Sequence, residues 1–324
     1  MAYVMRIHKT GGAEVLSWEA ASVGKPGRGE VRLKHTAVGL NFIDIYHRTG
    51  LYPVPLPTVL GLEAAAVVLE AGPEVTELGP GDRVAYASAP MGAYSEERLM
   101  PADRLVKLPA SISDQEAAVL MLKGMTAQFL LRRTYPVRTG DTILIHAAAG
   151  GVGLIVCQWA SALGATVIGT VGSEEKAIVA RAHGCTHPIL YRREDFVQRV
   201  RDITAGRGVD VVYDSVGRDT FMKSLDCLRP LGMMVSFGQS SGSIPLFDLG
   251  LLSAKGSLFL TRPSLVSYTA RREDLLASAK ELFGMVEAGK VKVAIGQTYP
   301  LREAARAHRD LEARRTTSAT VMTV

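Results

Sequence analysis

Cysteine is scarce in this 324-residue sequence: only Cys157, Cys185 and Cys227 occur. None stands in a CxxC or other close metal spacing, which argues against a disulfide framework and a structural zinc knot and fits a reducing compartment. Runs of one charge sign are also missing. Lys and Arg number 37 against 32 Asp and Glu, a net charge of +5 with no block of five like charges. That mild basicity suits a phosphate-bearing ligand and does not point to nucleic acid. No uninterrupted apolar stretch reaches the ~18–20 residues of a membrane span. The opening MAYVMRIHKTGGAEVL carries no apolar signal-type region, so a soluble, cytoplasmic protein is expected. Internal repeats and low-complexity segments are absent too. What is present is 47% hydrophobic residues, ample for burial, in a chain long enough to make two domains the expectation.

The first third reads as β-rich. Apolar and polar residues alternate over 4–10 and 29–41, and further short strands are expected at 64–70 and 82–87, separated by Gly- and Pro-containing turns. The rhythm changes after residue 112. A helical stretch covers 111–133, with Ser113 and Glu116 spaced as a capping box. Strands then alternate with helical spacers, at 142–146, 165–170, 209–213, 233–237 and 257–261, the pattern of a parallel βαβ sheet. The tail reads as a helix at 272–288, a strand near 291–294, a helix at 302–314 and a strand near 318–322.

The segment from Thr142 to Gly153 is the most informative. TILIH is a short buried strand that runs into AAAGGVG, and LIVCQWASALG continues as an amphipathic helix. The dinucleotide template G-x-G-x-x-G maps onto Ala148, Gly150 and Gly153, one glycine being replaced by alanine. Gly150 and Gly151 let the backbone approach a pyrophosphate, Gly153 lets the helix pack on the strand, and the helix start points free N–H groups at the anion. An NAD site places Asp or Glu at the end of the second strand, on the ribose 2′-OH. Here that place reads Gly169-Thr170-Val171-Gly172-Ser173, with no carboxylate before Glu174. Gly172 and Ser173 leave room for a 2′-phosphate, with Lys176 and Tyr191 as its candidate partners. Two charge-assisted bonds at ~1.5–3 kcal/mol each would favour NADPH over NADH by ~10²–10⁴.

Several stretches together resemble the zinc-independent quinone oxidoreductases of the medium-chain dehydrogenase/reductase superfamily, zeta-crystallin-like: GLNFIDIYHRTGLYPVPLP (39–57), GPGDRVAY (79–86), GAYSEE (92–97), LKGMTAQFLLRRTY (122–135), HAAAGGVG (146–153), VVYDSVGRDT (211–220), VSFGQSSG (235–242) and KGSLFLTRPSL (255–265). The resemblance implies an α/β fold. A GroES-like β-rich catalytic domain (1–122 and 265–324) and a Rossmann doubly wound parallel sheet domain binding NADPH (123–264) would form the active site where they meet. It implies no metal. Asn41 stands where metal-dependent members carry a first Cys, Gly61-Leu62-Glu63 replaces Gly-His-Glu, and the four-cysteine lobe is missing.

A quinone is a strong hydride acceptor that needs no Lewis acid. Asn41, Tyr46 and Tyr52 are the pocket candidates that could hydrogen-bond its oxygen as it gains charge, with Asp44 orienting them. By the same resemblance Phe42, Lys123, Thr126, Val152, Ser215, Phe237, Gly238, Gln239, Ser240, Phe259 and Arg314 contact the cofactor. A reductase of α,β-unsaturated carbonyls (enals or enones) is the competing reading. A nucleotide-regulated RNA-binding or structural protein is the alternative from another class, disfavoured by the lack of a basic stripe. A homodimer is expected through the apolar edge strand 255–261.

Overall fold

The computed structural model describes all residues, 1–324. The chain divides into two compact units. One comprises Met1–Met125, Thr269–Phe283 and Val293–Val324, the other Thr126–Tyr268 and Gly284–Lys292.

The first unit is built on strands. β1 (Ala2–Ile7) lies between β2 (Leu16–Ala21) and β4 (Thr58–Val59) in a small antiparallel sheet. The larger sheet takes β3 (Glu30–Leu40), β5 (Glu63–Ala71), β6 (Arg83–Ala87), β7 (Glu97–Pro101) and β8 (Val106–Lys107). The C-terminal β15 (Ile295–Pro300) and β16 (Ala319–Thr323) complete it, in the order β15-β16-β3-β5-β6-β8 with β7 also on β3. Val31, Leu33, Val38, Ala64, Ala66, Val68, Val84 and Tyr86 alternate inward from these strands and form the core. This is the period-2 burial that the alternating pattern anticipates. Helix α1 (Phe42–Thr49) follows β3 directly. Its Asn41 N-cap and Asp44 make a reciprocal capping box, and Gly50 closes it in the left-handed conformation at φ 83°.

Helix α2 (Asp114–Phe129) opens on the expected cap: Ser113 Oγ accepts from the Glu116 N–H at 3.3 Å, and Glu116 Oε2 accepts from the Ser113 N–H at 2.9 Å. It ends at Phe129 and widens into a π turn, Leu130–Thr134, so only the first part of 111–133 is α-helical. The boundary between the units, at 125/126, falls inside α2.

The second unit is the parallel sheet. Strands β9 (Thr142–Ile145), β10 (Thr166–Val171), β11 (His187–Leu190), β12 (Val209–Asp214), β13 (Leu228–Ser236) and β14 (Phe259–Thr261) pair in the order β11-β10-β9-β12-β13-β14. Counted within this sheet that is 3-2-1-4-5-6, the doubly wound dinucleotide-binding order. The helices alternate with the strands: α3 (Gly151–Ala162), α4 (Glu174–Ala182), α5 (Phe196–Ile203), α6 (Phe221–Leu225), α7 (Gly250–Ala254) and α8 (Leu265–Tyr268). The chain finishes with α9 (Arg272–Glu287), β15, α10 (Ala304–Glu312) and β16. No helix is long and apolar enough to cross a membrane.

Besides α2, three strands differ most from the sequence expectation. β1 spans 2–7 rather than 4–10, because its register with β2 pairs Ala2 with Ala21 and Ile7 with Leu16 and leaves 8–12 to the turn. β13 begins at Leu228, five residues early, paired to Val209 of β12. The strand expected near 291–294 is β15, 295–300, where pairing to β16 selects the register.

Candidate active site and cofactor site

In the first unit, α1 gathers an aromatic cluster. Phe42 and Tyr46 have ring centroids 6.3 Å apart, Tyr46 and Tyr52 5.1 Å, and His47 and Tyr52 6.0 Å. The Tyr52 N–H donates to the Tyr46 carbonyl at 3.0 Å, which folds the loop back on the helix. The structure therefore brings together Asn41, Phe42, Asp44, Tyr46 and Tyr52.

Beneath them runs a buried polar chain that the sequence did not reveal. Glu63, fully buried, accepts from Asn41 Nδ2 at 2.8 Å, from the Leu122 N–H at 2.7 Å and from Lys123 Nζ at 2.9 Å. Gly39 makes this possible. A Cβ there would lie 2.1 Å from the Ala118 carbonyl and 2.3 Å from Glu63 Oε2, so only glycine lets β3 approach α2 with the carboxylate between them.

Asp44 Oδ2 accepts from the Asn41 N–H at 2.9 Å and from the Tyr94 hydroxyl at 3.0 Å, while Oδ1 is buried with no partner. Tyr94 also meets His308 Nε2 at 2.9 Å, and His308 Nδ1 lies 3.1 Å from Arg48 Nη1. Arginine can only donate, so Nδ1 accepts, Nε2 carries the proton and Tyr94 passes its own to Asp44. Arg48 is closed off by a bidentate pair with Glu312 at 3.0 and 2.6 Å. Burial pushes the Asp44 carboxyl up to about 7, against the pull of its donors and Lys123. Burial and the Arg48 charge hold His308 down at about 3. The Asp44 carboxyl thus sits near half-protonation at neutral pH, with the unpartnered Oδ1 as the natural place for the proton.

In the second unit, the loop after β9 turns sharply. Ala147 adopts φ 54°, and the Gly150 N–H returns to the Ala147 carbonyl at 2.9 Å. A Cβ on Gly153 would stand 2.3 Å from that carbonyl and 2.7 Å from the carbonyl of Ala148, so glycine is needed for α3 to seat on the loop. The first N–H groups of α3, from Gly151 and Val152, have no partner within the helix. The loop lies between β10 and β12, next to the point where strand order reverses.

At the end of β10, Gly172 faces the Tyr191 hydroxyl, 3.1 Å from where its Cβ would be. Ser173 caps α4 by accepting from the Lys176 N–H at 3.4 Å. Gly172, Ser173, Lys176 and Tyr191 are therefore brought together. The loops after β12 and β13 are laced likewise. The Ser240 N–H donates to the Ser215 carbonyl at 3.1 Å, and a Cβ on Gly238 would lie 2.7 Å from that same carbonyl. This places Ser215 beside Phe237–Ser240 at the carboxyl end of the sheet, where ligands bind in such folds.

Arg262, absent from the sequence expectations, reaches Ser236 Oγ at 3.0 Å and adds a cation to that end. A second unforeseen network holds three strand ends together. His146 Nδ1 meets Thr170 Oγ1 and Nε2 meets Ser224 Oγ, both at 2.9 Å, and Ser224 donates to Asp214 at 3.1 Å.

Other expected cofactor residues fall elsewhere. Lys123 belongs to the first unit and is held by Glu63, whereas Thr126, three residues on, lies in the second. Phe259 begins β14, two residues before its carboxyl end, and is 56% exposed. Arg314 belongs to the first unit, on the turn after α10, at φ 58°.

A family model described as alcohol dehydrogenase GroES-like domain matches residues 27–110, and one described as zinc-binding dehydrogenase matches 151–288. The zinc implied by the second description does not fit this donor set. Around Glu63 stand a carboxamide that donates, an apolar Leu62 and an ammonium, and no three His, Cys, Asp or Glu side chains are grouped to hold a metal. A quinone oxidoreductase of Pseudomonas aeruginosa is 53% identical over 99% of both chains. A 2-haloacrylate reductase of a Burkholderia species is 52% identical over 98% of this chain and 97% of its own. The crystal structure of Escherichia coli quinone oxidoreductase complexed with NADPH superposes with a TM-score of 0.98 at 48% identity, over 99% of this chain and all of that one. The chain belongs to the quinone oxidoreductase family, zeta-crystallin-like, of the medium-chain dehydrogenase/reductase superfamily.

Proposed function

We propose that the protein reduces small quinones with NADPH and without a metal ion. One observation carries this reading. Glu63 is paired with an ammonium at 2.9 Å and accepts a hydrogen bond from a carboxamide at 2.8 Å, in the surroundings where an alcohol–ketone couple would need a zinc ion as Lewis acid. A quinone spreads the incoming charge over its ring and needs none. NADPH, when bound, supplies the hydride.

The chain's own residues do the rest. The α3 N–H groups of Gly151 and Val152 hold the pyrophosphate. Gly172 and Ser173 leave space for the 2′-phosphate, with Lys176 and Tyr191 as its donors. Ser215 and Phe237–Ser240, at the carboxyl end of the sheet, contact the remainder of the cofactor, with Thr126, Phe259 and Arg314 as outlying contacts. On the first unit Asn41, Tyr46 and Tyr52 orient the acceptor, Phe42 shields it from water, and Asp44 fixes Asn41 through its backbone N–H.

The 2-haloacrylate reductase relative supports a second reading on the same scaffold, reduction of a double bond conjugated to a carbonyl. Turnover of 1,4-benzoquinone, a 2-alkenal and 2-chloroacrylate is compared with NADPH and NADH as donors. Quinone turnover with NADPH preferred is the expected result. Reduction of the alkenal or the haloacrylate without any quinone turnover would overturn it.

The exposed edge of the second unit supports a homodimer. β14 is the outermost strand, and Leu231, Leu246, Leu249 and Phe259 are exposed apolar side chains of that unit. Light scattering at micromolar concentration should give twice the monomer mass. A cytoplasmic location follows from the same reading, since NADPH and three unpaired thiols belong to a reducing compartment.

A further inference from the structure

We propose that Lys123 is the electrophilic residue of this reaction: its ammonium, anchored on Glu63 beside the Asn41 carboxamide, receives the acceptor oxygen that becomes anionic. This rests on the reductase reading above. Hydride addition brings the acceptor two electrons and a proton, oxidises NADPH to NADP⁺, and leaves one quinone oxygen as an anion. A solvent proton then completes the hydroquinone.

The geometry distinguishes this role from a purely structural ion pair. Lys123 Nζ and Asn41 Nδ2 both bind Glu63 Oε2, at 2.9 and 2.8 Å, so two donors are held side by side by one atom. Glu63 itself is fixed by the Leu122 N–H and by the space Gly39 leaves. An ammonium has three N–H donors and Glu63 takes one. The Lys123 side chain keeps 7% exposure while Glu63 keeps none, so the pair's open side is the cationic one. Buried ion pairs contribute little stability against their desolvation, and an apolar pair would serve packing as well. A donor preorganised where charge develops is what stabilises an oxyanion. Lys123 thereby offers the developing oxyanion a fixed hydrogen-bond donor rather than a Lewis acid.

The test uses Lys123→Met, Lys123→Arg and the double variant Lys123→Met/Glu63→Gln, which leaves no lone buried charge and keeps the experiment readable if the single variant fails to fold. Binding of 4-nitrophenol, a mimic of the anionic intermediate, is followed by phenolate absorbance near the ligand's own pKa, with no cofactor turnover. NADPH affinity is measured by nucleotide fluorescence, and kcat/KM with a series of quinones of falling electrophilicity. We expect the wild-type protein to ionise the bound nitrophenol and the Met variants to lose this. NADPH affinity should change less than twofold. kcat/KM should fall ~10²-fold, most for the poorest acceptors, with partial rescue in Lys123→Arg. Equal ionisation in wild type and variants, or weakened NADPH binding with a uniform loss across acceptors, would overturn the proposal and return Lys123 to the cofactor. A wild-type protein that ionises nitrophenol but turns over no quinone would sink the quinone reading and leave the Lys123 site standing.

Discussion

Asp44 is a residue whose acidity the fold strongly displaces. Its carboxyl titrates near 7 in the folded protein and near 4 when unfolded. Between those values the native state keeps a proton that the unfolded chain has released, so stability falls as pH rises from about 4 to 7 and levels off above. Asp44→Asn keeps both donors satisfied, because Asn41 N–H and Tyr94 both address Oδ2 and the amide nitrogen takes the unpartnered Oδ1 position. The variant should gain on the wild type across that window by on the order of 1–4 kcal/mol, read from urea melts at pH 5 and pH 8. A constant difference between the two pH values would contradict the assignment. At the other site, Lys176→Gln should weaken NADPH binding about 10- to 100-fold and leave NADH nearly unchanged, as loss of one charge-assisted bond to a phosphate requires. A parallel loss for both nucleotides would place Lys176 away from the 2′-phosphate.

At the scale of elements, local signals told the truth where the interactions are local. Ser113 and Glu116 announce α2, and Ser113→Ala should cost about 1 kcal/mol in thermal or urea unfolding. The β9–α3–β10 turn was legible because its glycines answer to contacts within a few residues. Gly153→Ala drives a methyl against two backbone carbonyls and should cost about 1–3 kcal/mol together with most NADPH affinity. The sequence was silent where partners are distant. Lys123 and Glu63 are 60 residues apart, Tyr94 and His308 214, and Arg48 and Glu312 264. Spacing carries no trace of such pairings, so Lys123 was read as a cofactor ligand by likeness alone. β15 was set a few residues early for a related reason: VKVA has strand-like alternation, but its neighbour β16 lies some twenty residues further on and decides which residues pair.

Across the whole molecule, most of the proposed cofactor residues fall in one unit and the proposed acceptor side chains in the other. A ligand that binds only the folded state adds stability by mass action, about 2.7 kcal/mol at a hundred times its Kd. NADPH at that level should therefore raise the melting temperature clearly, and NADH at the same concentration should not. Equal shifts would argue against discrimination at Gly172 and Tyr191.

The place of β16 has a consequence for biosynthesis. Thr320 pairs with Leu40, so a strand made near the start of translation waits for one made about 280 residues later. At ~5–20 residues per second the ribosome needs roughly 15–60 s to deliver it. The parallel sheet, contiguous from 142 to 261, has emerged in full before then. The growing polypeptide thus carries one open flank of its early sheet while the parallel sheet is already in place, and a premature stop codon even a few positions before residue 319 strips β3 of one of its three neighbours.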